Sequence, residues 1–366
     1  AQMLAGMPLA SALGISGCHK PAVTAFSMDL NGNGITVSIE LYERMLVADP
    51  VAMTRRPLSA VALRKVIEQD QRAGRPPMTF AVVFPVSSHT YQLRYWMASA
   101  GIDPDRDVQL IVVPPPQMVA NLRAGRIVGY CVGEPWNQHA VSMGIGRAII
   151  TGHELWNNAP EKVFGVNQEW AERYPGTHRA VLRGLMEAAP WMDAPEHREE
   201  VVDIISRKAY VDAPFKVVAS SMTGTWRVSK TEAPESMPDF NVFHRYAANF
   251  PWRSHAVWFL TQMVRWGQID RPVNFRQVAE SVYRTDVYRE AAAELGIASP
   301  VEDYKTEGDH GHAWSLAAQG GGAIAMGPDR FFDGLRFDPS RPVDYLSALP
   351  GSAMKVDMAA LRDINA

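Results

Sequence analysis

The sequence contains little cysteine, with only Cys18 and Cys131 among 366 residues. Cys18 lies in a predicted turn and Cys131 in a predicted buried strand, so neither a disulfide framework nor a cysteine metal cluster is indicated. The longest apolar runs, such as 110–116 and 128–132, have strand length and fall far short of the roughly 20 residues of a membrane-spanning helix. A net charge of −3 gives no sign of a nucleic-acid-binding surface.

The sequence also lacks the motifs of common enzyme classes. Gly32-Asn33-Gly34 has neither the third glycine nor the downstream acid of a dinucleotide-binding fingerprint. Ser87, Ser88 and His89 are adjacent but do not form a nucleophile elbow, so no catalytic triad is predicted. Asp309-His310-Gly311-His312 offers two histidines without further ligands at useful spacing, which indicates a mobile loop. We therefore predict no cofactor, no bound metal and no enzymatic activity.

The length and composition indicate a globular protein with two lobes. A chain of 366 residues exceeds the roughly 250–300 residues that one hydrophobic core usually serves. Hydrophobic residues at 47% and charged residues at 20% are ordinary for a packed protein, so the chain has a sizeable core. The 26 prolines and 27 glycines indicate many turns rather than disorder.

The pattern of apolar residues predicts an α/β architecture. From residue 79 it alternates strand and helix, and such a βαβαβ series is typical of a parallel sheet with helices on both faces. We predict strands at 23–28, 35–39, 79–84, 108–113, 127–132, 148–151 and 162–166. We predict helices at 57–73, 91–100, 118–124, 177–192, 196–208, 254–266 and 275–295. The predicted division is lobe one in 1–78, lobe two in 79–165, and completion of lobe one by a helical cover and an irregular C-terminal tail in 166–366.

Polar loops follow several of these strands, where small ligands bind to α/β sheets. The turn with Asn31, Asn33 and Gly34 offers unhindered backbone N–H groups and two amides, which suit a planar oxyanion. Its alternative is a plain turn, because Asn-Gly pairs are the commonest turn signal. Another such segment, Ser87-Ser88-His89, opens a predicted helix, where the helix dipole attracts anions, and its alternative role is only to cap that helix.

Further candidates follow the later strands. Pro114 lies in a run of three prolines without backbone donors, which favours a rigid apolar wall. The indole of Trp136 can pack flat on a planar anion, while Glu134 either orients donors or binds a cation. Lys162 is the predicted positive charge near the site, and its alternative is an ordinary solvated lysine.

The segment Gly-Tyr-Cys-Val-Gly-Glu-Pro-Trp-Asn at 129–137 resembles the signature of the nitrate- and bicarbonate-binding proteins of ABC transporters. That family also includes a cytoplasmic nitrate sensor. The resemblance extends over almost the whole chain, and its order and spacing are specific. It includes Gln2 to Ala5, Leu30 to Ile35, Arg94 to Trp96, Gly101 to Asp105, Pro160 to Lys162, Trp258 to Leu260, Arg265 to Gly267, Phe332 to Gly334 and Phe337 to Pro339.

The resemblance implies a two-lobed, type II periplasmic-binding-protein fold that closes on a ligand by a hinge motion. It implies nitrate or nitrite as the ligand, with bicarbonate as the close competitor. The family's nitrate binders carry a ligand histidine and a ligand lysine at what look like the positions of His89 and Lys162. Bicarbonate binders are expected to hold a metal ion with an acid there, so Lys162 favours nitrate or nitrite. The resemblance begins within the family's first lobe, so we expect residues upstream of Ala1 that supply the first βαβ units and a tryptophan.

Three functions agree with these observations. The first is the solute-binding component of an ABC transporter, periplasmic or anchored on the periplasmic side of the membrane, which delivers the anion to a permease. The second is a cytoplasmic sensor that releases an antiterminator when nitrate binds. The third is an enzyme on the same fold, such as a thiamine-precursor synthase, which requires a catalytic His and Cys cluster that the sequence does not contain.

Overall fold

The computed structural model describes residues 1–15, 20–349 and 353–366. The predicted turn around Cys18 lies outside these residues, whereas Cys131 is buried in a strand as predicted. The chain divides into two compact units. Unit 1 comprises Ala1–Leu30, Trp156–Ala194 and Val242–Ala366, and unit 2 comprises Asn31–Leu155 and Pro195–Asn241.

The strands and helices follow one another along the described residues. The strands are β1 (Gln2–Leu4), β2 (Ala22–Ser27), β3 (Leu30–Asn31), β4 (Asn33–Ser38), β5 (Thr79–Val82), β6 (Gln109–Val112), β7 (Gly129–Gly133), β8 (Gly146–Thr151), β9 (Lys162–Asn167), β10 (Thr225–Trp226), β11 (Glu235–Ser236), β12 (Asn241–Val242), β13 (Trp314–Ala317) and β14 (Ala323–Met326). The helices are α1 (Met7–Ala12), α2 (Ile39–Ala48), α3 (Val61–Arg72), α4 (Ser88–Ser99), α5 (Met118–Arg123), α6 (Trp136–Met143), α7 (Gly152–Leu155), α8 (Gln168–Arg173), α9 (Pro175–Asp193), α10 (Arg198–Ser206), α11 (Phe215–Met222), α12 (Arg253–Arg265), α13 (Phe275–Val282), α14 (Thr285–Glu294), α15 (Pro342–Ala348) and α16 (Met358–Ile364). Across the three described ranges, no helix is both long and apolar enough to span a membrane.

Unit 2 is built on a five-stranded sheet in the order β6-β5-β7-β4-β8. β5 pairs in parallel with β6 and β7, as the βαβαβ pattern predicts. β4 pairs antiparallel with both β7 and β8, so β8 runs in the same direction as β7. The carboxyl ends of β5, β6, β7 and β8 therefore meet the amino end of β4 at one edge of the sheet, the carboxyl edge.

This division differs from the predicted one. Because β4 lies inside the five-stranded sheet, residues 31–78 belong to unit 2 and not to lobe one. Residues 195–241 also join unit 2, where Trp226 and Phe240 pack with Val141 in one buried cluster. Apolar periodicity identifies a strand but does not indicate which sheet the strand enters, and so the prediction placed these segments with their sequence neighbours.

Unit 1 contains a three-stranded sheet in which β9 pairs antiparallel with β1 and β2. Every residue of β2 is buried, and Phe26 packs with Leu182 of α9 and Tyr288 of α14 in the core of this unit. Helix α12 is buried on nearly every side, which explains why its own apolar residues are spread around the helix instead of forming one stripe.

Two predictions for unit 1 are corrected by tertiary contacts. The predicted helix 275–295 is broken into α13 and α14, because Tyr283 bridges to Thr24 of β2 and the Arg284 N–H donates to the Thr24 carbonyl at 2.8 Å. The C-terminal tail is not wholly irregular, since it contains α15 and α16. The glycines at 320–322 form the turn between β13 and β14.

Candidate functional site

The carboxyl edge of unit 2 gathers polar side chains from several elements. Asn33 opens β4 directly opposite Gly133, the last residue of β7. Ser88 opens α4 after β5, and Glu134 follows β7 immediately. This edge is the usual ligand position of an α/β sheet, because the loops that leave neighbouring parallel strands converge there.

Asn33 is the centre of this polar cluster and is fully buried. Its Nδ2 donates to Gln92 Oε1 at 3.2 Å and to Ser88 Oγ at 3.4 Å. No hydrogen-bond donor of the residues that the structure describes reaches Asn33 Oδ1. A buried acceptor left in this way costs roughly 1–3 kcal/mol, so Oδ1 is an atom that a ligand with a donor would stabilise.

Gly133 has no side chain on the side that faces Asn33. A Cβ on residue 133 would lie 3.5 Å from Asn33 Oδ1, 3.7 Å from His89 Nε2 and 3.8 Å from the Gly32 carbonyl oxygen. These are ordinary van der Waals distances, so a methyl group bonded to residue 133 would fit without displacing its neighbours. Because glycine has no Cβ, a ligand can approach the Gly133 Cα from this side, which we call the Gly133 space. The space is edged by polar atoms of an amide, an imidazole and a carbonyl.

The residues at the start of α4 divide between two roles. Ser87 is the N-cap, since its Oγ accepts from the Thr90 N–H at 3.1 Å and donates to the Phe84 carbonyl at 2.7 Å. This is the capping alternative of the sequence prediction. Ser88 instead accepts from Asn33, and His89 is 2% exposed beside the Gly133 space.

Three predicted site residues lie outside this cluster. The Asn31 amide donates to the Asp239 carbonyl at 2.8 Å and contacts His153 Nδ1 at 3.3 Å, so the fold itself uses it. A Cβ on Gly34 would lie only 3.0 Å from the Trp226 ring, which indicates a packing reason for this glycine. Pro114 is exposed after β6 and contributes no wall to the Gly133 space within the described contacts.

Glu134 lies at the start of α6. Its Oε2 accepts from the Gln138 N–H at 3.2 Å, and the Asn137 side chain also acts on the carboxyl. Burial raises the pKa of Glu134 to about 8, although the Gln138 N–H favours the ionised form. The carboxyl is therefore largely protonated at pH 7, which makes it a poor cation ligand and removes the expected repulsion of an anion.

The Glu134→Gln protein is expected to lose part of the pH dependence of stability. Because the folded-state pKa of Glu134 is about 8 against an ordinary 4.5, the folded protein holds one more proton between these values. The free energy of unfolding therefore falls as pH rises through this window, by up to about 1.4 kcal/mol per pH unit. Urea unfolding of both proteins at pH 5, 6, 7 and 8 measures the difference, in which contributions from all other groups cancel. If the free energy of unfolding depends on pH in the same way in both proteins, the raised pKa does not belong to Glu134.

Trp136 is the first residue of α6 and is partly buried. It packs on the core cluster that contains Tyr130 and Val132, and its carbonyl accepts from the Tyr130 hydroxyl at 3.0 Å. The predicted stacking of its indole on an anion stays a prediction.

Lys162 lies in unit 1, at the start of β9. Its amine forms an ion pair with Glu161, and its backbone N–H donates to Asp29 Oδ1 at 2.9 Å. The Lys162 side chain is 23% exposed and that of Glu161 only 2%, so this is not an ordinary solvated lysine. Burial raises the pKa of Asp29 to about 7, and the charge of Glu161 adds to the effect. Burial acts to lower the pKa of Lys162, but Glu161 and Asp29 raise it above its ordinary value. The role of Lys162 as the charge partner of an anion stays a prediction.

The sequence interpretation missed Gln92, Glu161 and Asp29. Gln92 follows Ser88 by four residues on α4, and this i,i+4 spacing on one helix face is a signal that could have found it. Glu161 and Lys162 are adjacent where β9 begins. Adjacent residues on a strand point to opposite faces, so the sequence spacing did not predict an ion pair between them. No group of three or more His, Cys, Asp or Glu within the described ranges is arranged to hold a metal ion.

The fold places the chain among binding proteins of known structure. It is similar to the periplasmic nitrate-binding protein NrtA from Synechocystis, with a TM-score of 0.82 and 28% identity over 95% of this chain and 83% of that one. It shares the fold of a ligand-binding component of an ABC-type import system from Staphylococcus aureus, with a TM-score of 0.53 and 16% identity over 80% of each chain. The predicted periplasmic-binding-protein fold is confirmed.

A family model described as the NMT1-like family matches residues 1–206. The nitrate/nitrite binding protein NrtA of Synechococcus elongatus is 32% identical over 97% of this chain and 74% of its own length. The nitrate import ATP-binding protein NrtC of Synechocystis is 39% identical over 94% of this chain and 46% of its own length. The chain belongs to the NMT1-like family, and the resemblance to nitrate- and bicarbonate-binding proteins is confirmed.

The chain spans about half the length of several curated relatives that it matches, among them NrtC and the bicarbonate transport ATP-binding protein CmpC of Synechococcus elongatus. The relatives named here are binding and transport proteins. They give no support to the sensor or to a cytoplasmic location.

Proposed function

We propose that this chain binds a small planar oxyanion, nitrate or nitrite, as the solute-binding component of an ABC transporter, with bicarbonate as the competitor. The observation that carries the proposal is the buried and uncharged cluster of Asn33, Gln92 and Ser88 beside the Gly133 space. Asn33, Gln92 and Ser88 are neutral groups that each carry a donor, and with a donor turned toward the ligand they suit a weakly hydrated monovalent anion, because a buried anion needs its hydrogen bonds replaced. Similarity to proteins named for nitrate and nitrite supports the choice of anion.

The proposed partner is a membrane permease, and the proposed location is the periplasmic side of the membrane, free or anchored. The periplasmic name of the similar solved structure and the transport names of the relatives support both. The chain acts by binding rather than by catalysis. The binding and transport names of the relatives support this reading.

A second candidate is that the chain is the anion-binding part of a larger ATP-binding transport protein. The relation to NrtC favours this candidate, since nearly all of this chain matches less than half of that protein. The anion site is the same in both candidates, and only the attachment of the chain differs. ATP hydrolysis by the full-length protein would support the second candidate, and its absence would support the first.

Nitrate is expected to raise the melting temperature of the full-length protein. A ligand that binds only the folded state stabilises it by RT ln(1 + [L]/Kd), about 2.7 kcal/mol when the ligand is at 100 times its Kd. Thermal unfolding with sodium nitrate, nitrite and bicarbonate measures the shift, and sodium chloride at equal ionic strength is the control. The proposal fails if none of the three oxyanions shifts the melting temperature more than chloride and titration calorimetry shows no heat of binding.

A further inference from the structure

The orientation of the Asn33 amide decides which chemical group the Gly133 space meets. In the structure Asn33 Nδ2 is engaged by Gln92 Oε1 and Ser88 Oγ, so Asn33 Oδ1, an acceptor, lies beside the position that a Cβ on residue 133 would take. Nitrate and nitrite carry no hydrogen and need donors. Bicarbonate carries one O–H group, which can donate to an acceptor. The observed orientation therefore suits a hydrogen-bearing oxyanion.

We propose that Gln92 is a specificity-determining residue for the ligand. The side-chain amides of Gln92 and Asn33 form a hydrogen-bonded pair that rotates together, so that Asn33 presents either its acceptor oxygen or its donor nitrogen to the ligand. This inference rests on the proposed function.

Both side chains are amides, and an amide can exchange its donor and acceptor by rotation. A side-chain amide has an oxygen acceptor and an NH₂ donor of nearly the same shape, so turning both groups keeps the hydrogen bond between them. In the turned arrangement Gln92 Nε2 donates to Asn33 Oδ1, and Asn33 Nδ2 faces the Gly133 space. Ser88 serves both arrangements, because a hydroxyl both donates and accepts.

The surroundings leave Gln92 as the partner that controls this choice. Asn33 and Gln92 are 0% and 6% exposed, so water does not easily replace either amide's partner. A Cβ on Gly152 would lie 3.3 Å from both Gln92 Nε2 and Gln92 Oε1. Residue 152 is therefore equally near the two ends of this amide and does not favour either orientation. Cys131 Sγ is 4.0 Å from Gln92 Oε1, and a thiol is a weak partner for either group.

Substitutions of Gln92 with a fixed hydrogen-bonding character test the inference. An ionised glutamate only accepts, so Gln92→Glu holds Asn33 Nδ2 toward itself and leaves Oδ1 to the ligand. A charged lysine only donates, so Gln92→Lys holds Asn33 Oδ1 and leaves Nδ2 to the ligand. Gln92→Met is the matched control, because it fills a similar volume and favours neither orientation. Because nitrate and bicarbonate carry the same charge, the added charge affects both affinities alike and cancels in their ratio.

The measurement is the ratio of the nitrate Kd to the bicarbonate Kd, by titration calorimetry with the sodium salts. Burial raises the pKa of a carboxyl and lowers that of an amine, so Gln92→Glu is measured at about pH 9 and Gln92→Lys at about pH 7, each against Gln92→Met at the same pH. Relative to the Gln92→Met protein, we expect the ratio to rise roughly tenfold or more in Gln92→Glu and to fall by a similar factor in Gln92→Lys. Either folded variant decides the question. Equal weakening of both anions in every variant would overturn the inference while leaving the proposed function intact. A wild-type protein that binds neither anion would overturn both.

Discussion

The Lys162→Ala protein is expected to lose about 3–5 kcal/mol of unfolding free energy at pH 8, because the change leaves two carboxylates without their cation. Glu161 is 2% exposed and is paired with the Lys162 amine, and Asp29 accepts the Lys162 backbone N–H. At pH 5 the loss should be smaller, since the pKa of Asp29 is about 7 and its protonated form needs no counter-charge. Urea unfolding at the two pH values measures both effects.

Two controls separate the buried pair from an ordinary surface one. Lys65 pairs with Asp49 at 2.7 Å, but its side chain is 49% exposed, so Lys65→Ala should cost no more than about 1 kcal/mol. The double change Glu161→Gln with Lys162→Met removes both charges together and should recover much of the loss. A loss below about 1 kcal/mol in Lys162→Ala at pH 8 would return Lys162 to the class of solvated lysines.

The Gly133→Ala protein is expected to stay folded and to bind nitrate roughly 100-fold more weakly. The new methyl group would lie 3.5 Å from Asn33 Oδ1 and 3.7 Å from His89 Nε2, which the fold tolerates but which fills the space proposed for the anion. Loss of one or two hydrogen bonds to a charged ligand costs about 3 kcal/mol, which corresponds to roughly this factor. Titration calorimetry gives the Kd, and thermal unfolding without ligand gives the stability.

Gly129, at the other end of β7, is the matched control. A Cβ on residue 129 would lie 2.8 Å from the Phe80 ring and 2.9 Å from the Thr36 carbonyl oxygen, so Gly129→Ala overpacks the sheet. We expect it to lose about 1–3 kcal/mol of stability while its folded fraction still binds nitrate. The two glycines should therefore show opposite patterns. Undiminished binding in Gly133→Ala would remove the Gly133 space from the anion site.

The local elements of the carboxyl edge could be predicted from the sequence. Alternating apolar runs predicted β5, β6 and β7 within a few residues, and the helices between them predicted parallel pairing, because a helical crossover returns the chain to the same end of the sheet. Polar loops after the predicted strands 23–28 and 79–84 predicted a site that contains Asn33 and the start of α4. These features depend on neighbours within a few residues along the chain, which the sequence displays directly.

The partners of these residues were decided only by the tertiary structure. β4 enters the sheet antiparallel between β7 and β8, and this placement brings Asn33 to Gly133 and to Gln92. Likewise, Lys162 meets Asp29 although 133 residues separate them along the chain. The sequence by itself determined the family, the α/β class and the polar residue types at the strand ends. The tertiary structure alone decided which polar groups satisfy one another, because hydrogen bonds and ion pairs depend on distances of a few ångströms that apolar periodicity does not encode.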